Sequence, residues 1–108
     1  MPETVPVDIS RTPGAPLAEF DPSPLTIASG DLVFWVNDDE EDSHKPQSID
    51  PQSNAWMDFP IPRRIPGEPV ASSNTVVFLN TTAAVRVVQY ACVLHPGETG
   101  TIMVEPQT

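Results

Sequence analysis

The sequence predicts an all-β sandwich, and three observations carry that expectation. Proline supplies 14 of the 108 residues, and a residue without a backbone N–H kinks helix interiors while fitting turns and edge strands. Apolar residues come in short alternating runs. Proline, glycine and other turn residues separate those runs at fairly even intervals. The length suits a single domain over residues 1–108, and 39% hydrophobic residues are enough for one packed core.

The elements follow in order. Val5, Val7 and Ile9 alternate ahead of Pro13-Gly14-Ala15-Pro16, which predicts an edge strand and then a loop. Leu25 and Ile27 alternate, Gly30-Asp31 supplies a turn, and Leu32 to Val36 is a nearly unbroken β-favouring run. Together they predict a hairpin-like strand pair buried on at least one face, with Trp35 in the core. Asp38 to Asp42 are five consecutive acids, whose mutual repulsion predicts a solvated loop. Residues 45–73, rich in Pro, Ser, Asn and Asp, read as a long irregular connection with one short helical turn, anchored by Trp56 and Phe59. Thr75 to Leu79 and Val85 to Tyr90 read as two more strands joined by residues 80–84. In the final strand, Thr101 to Glu105, alternation places Ile102 and Val104 on one face and Met103 on the other. Asn80-Thr81-Thr82 fits a glycosylation sequon.

A net charge of −10 argues against nucleic-acid binding, which needs a cationic surface to displace counterions. It disfavours anionic membranes and is compatible with a basic protein partner. No stretch approaches the roughly 18 apolar residues of a membrane span. Met1-Pro2-Glu3-Thr4 lacks the basic start and apolar centre of a signal peptide. On that reading the protein is either cytosolic or follows a removed leader.

The chemistry concentrates in few residues. There is one cysteine and there are two histidines, so no internal disulfide forms. Cys92 and His95 stand three apart in a short loop between two strands, where both can address one metal, and His44 is the remaining histidine. A thiolate with two imidazoles suits copper with a weak fourth ligand, and with a carboxylate it is also a competent tetrahedral zinc set. A Cys–His nucleophile pair would need an oxyanion stabiliser, and no residue with that role is evident.

The run Phe20-x-Pro22-x-x-Leu25-x-Ile27-x-x-Gly30-Asp31-x-Val33-x-Trp35-x-Asn37, then an acidic loop and His44, resembles the first half of a cupredoxin. Tyr90-x-Cys92-x-x-His95-Pro96-x-x-x-Gly100-x-Ile102-x-Val104 resembles the second half, with the short ligand loop of the amicyanins. The resemblance covers roughly residues 20–44 and 88–105. It implies a Greek-key β-sandwich with one copper ion near one end, ligated by His44, Cys92 and His95. The family's axial methionine falls at position 98, which is Glu98 here, so Glu98 is the expected fourth ligand. If Glu98 instead turned to solvent, the fourth position would be open or water-bound, and Met57 could approach only if its loop folded over the site.

A carboxylate is a harder, charged donor that favours Cu(II) and lowers the reduction potential. The implied function is one-electron transfer between protein partners, with a basic redox partner steered by the acidic run and an apolar rim of Val93, Leu94 and Pro96. An electron carrier rather than an enzyme is expected, monomeric, and periplasmic or extracellular. Three other readings stand beside it. Glu98 can make an open copper site that binds or turns over a small molecule, the chain can be a copper buffer or chaperone, or the metal can be structural zinc.

Overall fold

Residues 2–107 are described in a computed structural model, and among them no residue is helical. Nine strands form two sheets. The first contains β1 (Thr4–Ser10), β2 (Glu19–Asp21), β4 (Leu32–Asn37), β6 (Ala71–Ser72) and β7 (Val76–Val77); its order is β2-β1-β4-β6, with β7 also pairing with β4. The second has the order β3-β9-β8-β5, from β3 (Leu25–Ala28), β9 (Thr99–Glu105), β8 (Arg86–Cys92) and β5 (Pro46–Ser48). The sandwich expected from the sequence is therefore present.

Two expectations about strand partners are corrected. The residues on either side of Gly30-Asp31 do not form a hairpin. β3 runs parallel to β9, and β4 runs parallel to β1 in the other sheet. The turn between them carries the chain across the core. Gly30 takes it at φ 97°, a backbone setting that favours glycine. The Asp31 carboxylate accepts the backbone N–H groups of Ala28 and Glu3 at 3.0 and 2.9 Å, which ties the crossing to the start of β1. β1 is not simply an edge strand either, since it lies between β2 and β4. Only Asp8 to Ser10 are covered by β2. Pro6 falls in the uncovered half, where a missing N–H is tolerated.

Alternation along each strand builds the core. Val7, Ile9, Val33 and Trp35 from the first sheet meet Leu25, Ile27, Val88, Tyr90, Ile102 and Val104 from the second, all buried. Met103 lies on the opposite face of β9 from Ile102 and Val104, as alternation requires. Trp35 stacks on Trp56 at 5.1 Å and meets Tyr90 edge-on at 5.4 Å. Truncating a buried ring of this size costs about 3–5 kcal/mol. Trp56 and Met57 thus dock the long 45–73 connection, whereas Phe59 is 80% exposed and anchors nothing.

Candidate metal centre

β8 ends at Cys92 and β9 begins at Thr99, so the connecting loop is six residues long and carries His95 and Glu98. Backbone bonds tighten it. The Cys92 N–H donates to Glu98 O at 2.9 Å, and the Glu98 N–H donates to His95 O at 3.3 Å. His44 arrives from the other sheet, on the loop after β4. It is pinned by a two-way backbone pairing with Ile61, at 3.1 and 2.8 Å. Asn37, at the end of β4, holds the same region through three bonds from its side-chain amide to the carbonyls of Asp42, Ile61 and Pro62.

The four sequence-predicted residues meet. One donor atom from each of His44, Cys92, His95 and Glu98 lies within 4.8 Å of all the others. Cys92 Sγ is 3.8 Å from His44 Nδ1 and 3.5 Å from His95 Nδ1. Glu98 Oε1 is 2.9 Å from His44 Nδ1 and 3.2 Å from His95 Nδ1. The other oxygen, Oε2, accepts the backbone N–H of Ala18 at 2.8 Å, and Cys92 Sγ accepts that of Lys45 at 3.4 Å. Glu98 is buried and does not turn to solvent.

The donor chemistry fits a cation. Both imidazoles present Nδ1 to one point, where a thiol and a carboxylate also converge. Burying a carboxylate and a thiol together costs free energy unless positive charge compensates them. Protons can partly do so. Burial alone would push His44 down, but hydrogen bonds with Cys92 and Asp39, and the charges of Glu98 and Cys92, hold it up at about 9. Burial also raises the Cys92 thiol, yet hydrogen bonds from His44, Lys45, Leu94 and His95 outweigh it and bring the thiol below its ordinary value.

No local pattern singles out the residues behind His44. The acidic run is a loop, but it is not uniformly solvated, because Asp39 is only 2% exposed. Its Oδ2 lies 2.7 Å from His44 Nε2. Arg11, at the end of β1, reaches across and donates to Asp39 through Nε and Nη2, at 3.2 and 2.8 Å, and to Asp42 at 2.8 Å. These contacts keep the Asp39 carboxyl well below the usual range against the raising effect of its burial. The one available signal was an arginine closing an apolar strand in a chain of net charge −10.

Two other sequence features resolve here. The Asn80 side chain is buried, and its amide donates to the carbonyls of Ala84 and Val104 at 2.8 Å each, so in the fold it serves as a structural brace rather than a glycan acceptor. Val93 and Leu94 are exposed beside His95, whose side chain is itself 26% exposed.

No protein-family model and no curated protein matches this sequence. Solved structures match its architecture. An amicyanin from Paracoccus versutus aligns with a TM-score of 0.64 at 18% identity, over 94% of this chain and 81% of that one. A purple cupredoxin from Nitrosopumilus maritimus aligns with a TM-score of 0.62 at 24% identity, over 94% and 99%. A pseudoazurin from Sinorhizobium meliloti aligns with a TM-score of 0.60 at 19% identity, over 96% and 76%. With two sheets arranged as in these proteins and the sequence halves matching the same pattern, the chain has the cupredoxin fold.

Proposed function

We propose that this protein is a copper-binding electron carrier in which His44, Cys92, His95 and Glu98 hold one copper ion. The observation that carries the reading is the convergence of their four donor atoms within 4.8 Å at one end of a cupredoxin sandwich. Copper bound there supplies a reversible one-electron couple.

The chain supplies preorganisation. Three of the four donors are fixed by bonds that do not depend on the ion: Glu98 through the Ala18 N–H, Cys92 through the Lys45 N–H, and His44 through Ile61 and Asp39. A frame held this way needs little rearrangement when the charge at its centre changes, which favours rapid electron transfer. The partly exposed His95, flanked by Val93 and Leu94, is the contact route to a partner protein. Asp42 lies 3.8 Å from His95 within an acidic loop, and this supports a basic partner. A monomer exported to the periplasm or beyond the cell completes the reading. Gel filtration and cell fractionation check those two points.

The test is a titration of the metal-free protein with Cu(II), followed by visible and EPR spectra. A strong thiolate-to-copper band saturating at one equivalent is expected, together with a reversible redox couple. A colourless protein that takes zinc tightly instead overturns the redox role. Perturbation of the band by azide would show an open site in place of a closed carrier.

A further inference from the structure

Behind the donor cluster stands a second, buried arrangement that the proposed copper site does not itself require. His44 is fully buried, and its Nε2 faces away from the cluster onto Asp39 Oδ2 at 2.7 Å. Asp39 is saturated. Its two oxygens also take Arg11 Nε, Arg11 Nη2 and the backbone N–H of Glu41, at 3.2, 2.8 and 3.0 Å. Its own N–H donates to Asn37 Oδ1 at 2.9 Å. The Arg11 side chain is 7% exposed and is itself braced by the carbonyls of Ala15 and Pro16.

A buried ion pair is weak evidence for stability, because desolvation offsets most of the attraction. A backbone carbonyl would be enough to accept one imidazole N–H. A carboxylate does more, since it fixes which nitrogen keeps the proton and adds electron density to the ring. We propose that Asp39, clamped by Arg11, is a positioning residue for His44: it holds the proton on Nε2, aims Nδ1 at the donor cluster, and strengthens His44 as a ligand. This inference rests on the metal-site reading above. Arg11 acts through Asp39. By donating to both carboxylate oxygens it fixes the orientation in which Oδ2 faces His44 Nε2.

The experiment uses imidazole 15N–1H NMR on the Zn(II)-loaded protein, and the reduction potential of the copper-loaded protein. In the wild type, His44 is expected to show a slowly exchanging, strongly downfield Nε2–H and a metal-shifted Nδ1. Asp39→Asn is expected to move that proton upfield, speed its exchange, weaken Zn(II) binding by about 10- to 100-fold, and raise the copper potential. Asp42→Asn also removes an Arg11 partner but does not touch His44 Nε2, and should leave the His44 proton in place.

If Zn(II) moves neither His44 nor His95, the metal-site reading falls and this inference falls with it. If Zn(II) shifts His44 Nδ1 while Asp39→Asn leaves the Nε2 proton and the potential unchanged, Asp39 is only structural and this inference alone is overturned. Should Asp39→Asn not fold, the wild-type spectrum and Arg11→Lys decide. A Zn(II)-loaded His44 protonated on Nδ1 overturns the inference. With the proton on Nε2, Arg11→Lys decides: an upfield shift and faster exchange of that proton uphold the clamp, and an unchanged proton and copper potential overturn it.

Discussion

Glu98 and Ala18 are joined by a hydrogen bond of 2.8 Å from the Ala18 backbone N–H to Oε2, and this bond leaves Oε1 facing the two imidazoles. The carboxylate is therefore held by the β1–β2 connection as well as by its own loop. Glu98→Met is expected to raise the reduction potential of the copper-loaded protein and shift its colour toward blue. It also strands the Ala18 N–H, at a cost of about 1–3 kcal/mol. Glu98→Gln keeps an acceptor for that N–H and removes the charge, so it should raise the potential with a smaller loss of stability. Voltammetry and thermal melts of both variants check this. An unchanged potential and colour in both would show that Glu98 does not coordinate.

Cys92 contributes the sulfur that lies within 3.8 Å of both Nδ1 atoms. Cys92→Ser should abolish the intense visible band while leaving the sandwich folded, since the change is small and the site is at the end of β8. Absorbance at one equivalent of Cu(II), with circular dichroism as the folding control, reads this out. Persistent colour would mean that copper sits elsewhere.

The protonation of His44 sets the pH dependence of metal binding. With a value raised to about 9, the metal-free ring carries an extra proton throughout the neutral range, and a metal at Nδ1 must displace it. Apparent Zn(II) affinity is therefore expected to rise with pH, about tenfold per unit for each proton displaced, and to flatten near 9. The Cys92 proton adds to the slope with the same sign at any pH below the thiol's own lowered value. Calorimetric titrations in buffers of different ionisation heat count the protons released. His44→Gln should release one fewer.

Gly100 sits opposite Tyr90 in the β8–β9 pairing, and a methyl group built on it would overlap the Tyr90 ring. Because Tyr90 is itself buried against Trp35 and Phe20, the ring has nowhere to withdraw. Gly100→Ala should cost about 1–3 kcal/mol. Urea unfolding of the metal-free protein measures it, and an unshifted midpoint would show that the ring is not packed there.

Three donors were legible because their chemistry is local: Cys92 and His95 stand three apart in one short loop, and the chain offers a single further histidine. Glu98 entered only through the resemblance to the cupredoxin ligand loop. The inward faces of the strands were legible for a local reason too, since alternation is a property of neighbours. Alternation does not say which sheet a strand joins, and so β3 and β4 read as a pair although they pair with β9 and β1. The acids from 38 to 42 look alike in the text. What separates Asp39 from the rest is Arg11, 28 residues earlier, and no local pattern carries a partnership of that range. Trp56 and Phe59 posed the same difficulty: both are aromatics in a proline-rich connection, and only the packing against Trp35 selects Trp56.

The position of β9 bears on the order in which the fold closes. It is the latest of the nine strands in the sequence, yet it lies between β3 and β8, joining residues 25–28 to residues 102–105. Pairings of such long sequence separation form late, after the intervening chain has been confined. Glu98 gains its fixed position only when β9 closes the gap between β3 and β8. Assembly of the donor group therefore coincides with closure of the second sheet.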